Sequence, residues 1–191
     1  SITPGEEAQV REQKSTALYE IAIPRIFSVF VNTIKSKPLA FDEVRKALSY
    51  GTDREAIIRE VLLGKGVPAT SALLPFMDGF ASDIETPHFD QAKANSILDE
   101  AGWKKGDDGI RSKDETPLEI ELTLPEWPEI QKTAELLKSQ WETLGVRVNL
   151  NQLSAADLQK NAVKNREYQA LLFGQAAMLE SDPYSFWHSS Q

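Results

Sequence analysis

The run FDEVRKALSYGTDREAIIREVLLGKG, Phe41 to Gly66, sets the reading of the rest of the chain. It reads as two short helices with a break between them. Asp42 is placed to cap the first, and Val44, Ala47 and Leu48 recur at helical spacing. Gly51 stands where a left-handed residue closes a helix. Thr52 and Glu55 form a Thr-x-x-Glu capping box, in which two orphan backbone donors are satisfied reciprocally. Ile57, Ile58, Val61 and Leu62 make one apolar face, and Gly64 ends it.

Upstream, Thr3-Pro4-Gly5-Glu6 is a second capping box opening a polar helix to about Lys14. Tyr19, Ile21 and Ile23, then Phe27, Val29 and Val31, alternate as a strand does, with an interruption at Pro24. Downstream, residues 67–90 hold three prolines and no sustained period, an unusually long connection. Asp90 then caps a helix carrying Ala94, Ile97, Leu98 and Ala101, which Gly102 stops and Trp103 staples. Gly106 to Gly109 is a turn by composition.

From there the period alternates between two and 3.6. Leu118, Ile120, Leu122 and Leu124 face inward on a strand. Pro128 starts a helix through Ile130, Ala134, Leu137, Trp141 and Leu144, closed by Gly145, with Glu126 and Glu129 flanking Trp127 at its start. Val146, Val148 and Leu150 form the next strand. Ser154 opens a helix with Leu158, Ala162 and Val163, and Tyr168 to Phe173 is an apolar run suited to a strand buried on both faces. Strand, helix, strand, helix, strand predicts an α/β fold: a parallel or mixed sheet with flanking helices.

Composition excludes several classes. The 191 residues suffice for one sizeable core. A net charge of −8 without basic runs argues against tracking nucleic-acid phosphates. The absence of cysteine excludes disulfides, zinc-thiolate sites and thiol catalysis. No window reaches the apolar length of a membrane span. Gly64-Lys65-Gly66-Val67-Pro68-Ala69 matches a dinucleotide fingerprint in letters only, since a helix precedes it and a Pro-rich loop follows. His88 and His188 lack the spacing of a metal pair, and Asp107-Asp108 and Asp114-Glu115 lack that of a calcium loop. Nothing assembles nucleophile, base and oxyanion donors, so the chain does not read as an enzyme, and no cofactor is expected.

Several motifs in order resemble one family. They are Asn32, Lys37-Pro38-Leu39, Phe41 to Tyr50, Asp53 to Ile58, and Gly64-x-Gly66-x-Pro68-Ala69. Phe89 to Ala94, Ile97 to Trp103, Leu144 to Val148 and Asp182-Pro183 follow. Together they are similar to the solute-binding proteins of dipeptide and oligopeptide ABC importers. The resemblance implies that residues 1–191 are a single lobe, the C-terminal one, of a longer two-lobe protein of periplasmic-binding-protein type II-like fold. It implies an extracytoplasmic location, a small solute trapped between lobes, and ABC permease subunits as partners of the parent. Some regulators fuse the same fold to a DNA-binding helix-turn-helix, so a ligand-sensing module is the alternative.

One departure bears on the ligand. Peptide-binding members carry Gly-Trp-x-x-Asp at the end of the last strand, where the Asp takes the peptide amine. Here the residues are Gly174-Gln175-Ala176-Ala177-Met178, with Glu180 nearby. Phe173, Gln175, Met178 and Glu180 are therefore the candidate ligand-binding residues, and the expected ligand is a solute other than a simple peptide amine. Arg45, Asp53 and Arg54 read as scaffold.

Overall fold

The computed structural model describes residues 24–71, 73–75, 77, 80–81, 83 and 86–176, with isolated positions 10, 12, 17 and 19. The expected N-terminal helix to Lys14, the alternation over Tyr19 to Ile23, and Asp182-Pro183 lie wholly or mostly outside them. The chain divides into two compact units, residues 1–26, 55–86 and 175–191 in one, and 27–54 with 87–174 in the other.

The second unit holds the sheet apart from the first two residues of its first strand and the last two of its last. Strand β1 is Arg25–Val31, followed by a 3-10 turn, Pro38–Ala40, and helix α1, Asp42–Tyr50. Helix α2, Arg54–Val61, falls in the first unit apart from Arg54. After the irregular connection come α3, Gln91–Glu100, and three very short strands: β2, Lys104–Lys105, β3, Arg111–Lys113, and β4, Thr116–Pro117. Then follow β5, Glu119–Pro125, α4, Pro128–Thr143, and β6, Arg147–Leu153. A single turn, α5, Ala155–Asp157, runs into a π-helical stretch, Leu158–Val163, before β7, Ala170–Ala176.

The main sheet has the order β1-β7-β5-β6. Strand β5 pairs in parallel with both β6 and β7. At the end of β1, the Asn32 N–H donates to Gln169 O just before β7 at 2.8 Å, which is how an antiparallel neighbour meets. The sheet is therefore mixed. Leu118, Ile120, Leu122, Leu124, Val146 and Val148 are buried as the period-two pattern predicts. Helix α4 packs on β5 and β6 through Ile130, Ala134, Leu137 and Trp141. In β1 the buried side chain is Ile26, whereas Phe27, the first apolar member of the Phe27, Val29, Val31 alternation, is exposed.

Several helix boundaries follow their local signals. Asp90 caps α3 by accepting from Lys93 N–H at 2.8 Å. The Trp103 N–H then closes the helix on Leu98 O at 2.9 Å, and its indole, fully buried, meets Phe41 edge-on. Others differ from expectation. Phe41, not Asp42, is the N-cap of α1, and Asp42 instead pairs with Arg45 in the first turn. Helix α2 starts at Arg54, so Thr52 lies outside its capping position. The Thr52 hydroxyl donates to Leu48 O at 2.7 Å and accepts from the Trp141 indole N–H at 3.0 Å. Gly51 has an ordinary φ of −79°. Its requirement is space, because a Cβ there would meet Leu144 Cδ1 at 2.5 Å.

The small sheet β2-β3-β4 carries the most connected polar group of the unit. Arg111 is 2% exposed. Its Nε donates to Leu144 O at 2.8 Å, beyond the end of α4. Nη1 donates to Trp103 O at 2.6 Å and pairs with Asp99, while Nη2 donates to Asn95 Oδ1 at 2.9 Å. One guanidinium thus gathers the C-terminal ends of α3 and α4, where unpaired carbonyls and the negative helix pole favour a cation. Gly145, at φ +83°, packs so closely that an added Cβ would lie 2.9 Å from Arg111 Cγ.

Replacing Arg111 by Lys removes the fork that reaches four separate acceptors. Arg111→Lys is expected to destabilise this chain by about 3 kcal/mol or more, as breaking a buried charged network does. Gly51→Ala is expected to cost about 1–3 kcal/mol by overpacking against Leu144. Urea unfolding of each variant beside the parent chain measures both.

Candidate functional site

In open α/β sheets the chemistry gathers beyond the carboxyl ends of parallel strands, because loops there are free to diverge. Strands β5 and β6 end together, and β7 runs three residues past them. Pro125 is in register with Leu153, and Thr123 with Leu171. Continued by two residues, the latter pairing sets Phe173 beside Pro125. The loop after β5 brings Trp127 to the same place, with its N–H donating to Pro125 O at 2.8 Å. The two rings meet at 5.9 Å between centroids, tilted by 31°. Both belong to the second unit.

The backing of this edge is apolar. Leu158, Ala162 and Leu171 form a buried cluster against which Phe30, Leu153, Val163, Tyr168 and Phe173 pack. The π-helical stretch makes this cluster, and its wider turn is seen in the Lys164 N–H donating to Gln159 O, five residues back, at 3.1 Å. Burial pushes the Tyr168 hydroxyl's pKa above the usual phenol value, with Arg166 pulling weakly the other way. The neighbouring backbone is fixed by Asn32. Its Oδ1 accepts from Ile34 and Lys35 N–H, both at 3.1 Å, and its Nδ2 donates to Arg166 O at 3.0 Å.

Further from the strand ends the same sheet face turns polar. Asn149 donates to Glu119 at 2.6 Å and Asn151 to Glu121 at 3.2 Å, while the Glu121 N–H donates to Gln169 Oε1 at 3.0 Å. Thr123 stands where the polar rows give way to the aromatic edge. Its hydroxyl is buried and lacks a hydrogen-bond partner among the described residues.

Of the four residues proposed from sequence, Phe173 lies at this edge. Gln175 is on β7, but its side chain is outside the described structure, as are Met178 and Glu180. Trp127 was legible only as part of a helix start. The signal that marks it is its position, an aromatic two residues beyond a parallel strand. The residues read as scaffold are used as scaffold: Arg45 donates to Leu39 O at 2.8 Å and Ala40 O at 3.0 Å, and Arg54 to Pro87 O and Ser49 Oγ, each at 3.0 Å. Among the described residues no group of acidic or histidine side chains is arranged to hold a metal ion. No helix among them is long and apolar enough to cross a membrane.

The family profile described as bacterial extracellular solute-binding proteins, family 5 Middle, matches residues 1–191. The chain belongs to this family. It is 30% identical to the dipeptide-binding protein of Escherichia coli (strain K12) over 171 residues, covering 90% of this chain and 30% of that one. It is 32% identical to heme-binding protein A of Haemophilus influenzae over 169 residues, 88% of this chain and 28% of that one. In structure it is similar to the oligopeptide-binding protein AppA from Bacillus subtilis in complex with a nonapeptide. The TM-score is 0.89 at 23% identity, over 99% of this chain and 38% of that one. The chain thus spans about 30% of the length of the curated relatives it matches. Its α/β architecture is that of the type II-like periplasmic binding proteins.

The raised pKa of Tyr168 has a direct consequence. Above the usual phenol value of about 10 the unfolded chain releases this proton while the folded chain still holds it. Stability is therefore expected to fall as the pH rises from there towards the folded value. Urea midpoints between about pH 9 and 11 should fall more steeply for the parent chain than for Tyr168→Phe.

Proposed function

We infer that this chain is one lobe of a solute-capture protein serving an ABC importer, and that it supplies a wall of the cleft in which the solute is held. The observation carrying this reading is the convergence of Trp127, just past the carboxyl end of β5, with Phe173, midway along the neighbouring β7, in a chain of the family 5 solute-binding proteins. Relatives named for dipeptide and heme binding support a captured small molecule. A binding wall needs a stable frame and an exposed, partly apolar edge, and the second unit has both. It needs no bond-making machinery. The whole protein acts outside the cytoplasm and delivers its solute to membrane permease subunits.

The solute is a small molecule, a peptide or another small polar solute. Gln175 and Met178 stand where peptide-binding members carry Trp and Asp, so recognition of a free α-amine by this strand is not part of the proposal. Calorimetry of the full-length protein with di- to pentapeptides, each with a free and an acetylated amino terminus, tests both statements. Binding that survives acetylation within about threefold is expected. A loss of a hundredfold or more, about 2.7 kcal/mol, would restore an amine anchor. Binding of none of these peptides, nor of other small polar solutes in a thermal-shift panel, would overturn the capture role.

A further inference from the structure

Neither core packing nor helix capping accounts for Trp127. It occupies the N-cap position of α4, yet its side chain caps nothing. It is 40% exposed, an unusual position for so large an apolar surface. Its indole is also held in place. Phe173 supports it at 5.9 Å, and Phe173 is itself rooted on the buried Leu158, Ala162 and Leu171. An exposed ring fixed by a second ring is a preorganised surface, which lowers the ordering cost of binding.

The chemistry beside the ring is one-sided. Glu126 and Glu129 flank Trp127 in sequence, Glu126 exposed and Glu129 half-buried. Neither carboxylate is joined by a hydrogen bond or ion pair to a described residue. A tryptophan face attracts cations through its quadrupole, and a planar cation stacks while presenting donors at its rim. Carboxylates are the matching acceptors for those donors.

We propose that Trp127, backed by Phe173 and flanked by Glu126 and Glu129, is the specificity-determining surface for a planar cationic group of the solute, a guanidinium or a protonated heteroaromatic ring. The inference rests on the capture role proposed above. It assigns the exposed indole to the solute, not to another protein segment, because Trp127 lies beyond the carboxyl ends of two adjacent parallel strands, where ligands of such sheets are received.

The test uses the full-length protein with two probes, L-argininamide and L-citrullinamide, an isostere that keeps the α-amine but has an uncharged side chain, followed by calorimetry and tryptophan fluorescence. Argininamide is expected to bind at least about tenfold more tightly than citrullinamide, as a desolvated cation over an indole would. Trp127→Ala is expected to weaken argininamide by about tenfold, while Trp127→Phe keeps most of the affinity. Glu126→Gln with Glu129→Gln should erase the preference between the probes. Thermal midpoints of the variants check that the fold is retained. Equal binding of the two probes, or affinity for argininamide unchanged in Trp127→Ala, overturns the inference and assigns the indole to a contact within the protein. If other solutes bind while these differences are absent, only this inference fails. If no solute in the thermal-shift panel binds, the capture role fails with it.

Discussion

The second unit depends on one buried guanidinium. Arg111 reaches acceptors on residues 95, 99, 103 and 144, and so ties the ends of two helices to a strand only three residues long. A cation so deeply buried is costly unless its donors are used, and here Nε and both terminal nitrogens are. Two of the acceptors are backbone carbonyls beyond helix ends, which would otherwise need water or a cap. The group that neutralises those ends also sets the distance between α3 and α4. With both helices fixed, β5 and β6 are held on either side of the α4 connection.

That frame leaves one edge of the sheet for the proposed recognition. Regular structure, deep burial and paired polar groups gather around β5, β6 and α4. Past the carboxyl ends of β5 and β6 the chain is irregular: the short junction holding Trp127, and the single turn that runs into a π-helical stretch. The polar rows of Glu119, Glu121, Asn149 and Asn151 keep the remainder of that face from being apolar. Rigid support behind an exposed aromatic edge is the arrangement a binding wall requires, since a loose ring would lose affinity to ordering.

The sequence carried the fold wherever the signal was local. Asp90 caps its own helix, Pro128 begins one, and the apolar residues of β5 alternate in sequence, so these elements were legible within a few residues. What failed was non-local. Gly51 reads as a left-handed stop, but its reason is the approach of Leu144, a residue 93 positions away. Thr52 reads as a cap, but the indole of Trp141 and the start of α2 at Arg54 decide otherwise. Strands of two or three residues have no period to detect, which hid β2, β3 and β4 and with them Arg111. The aromatic edge joins residues 46 positions apart, and only the β7-β5 pairing brings them together. Phe173 was marked by its strand, whereas Trp127 gave no periodic signal.

On the proposed reading, Pro125 at the end of β5 and Phe173 midway along β7 meet the solute while the Arg111 frame only supports them. Hydrogen–deuterium exchange of the full-length protein, with and without the tightest solute from a peptide screen, tests this most directly. Added protection is expected in peptides covering residues 123–129 and 170–175, with little change over residues 104–118. Protection confined to residues 104–118, or absent from both 123–129 and 170–175, would contradict that reading.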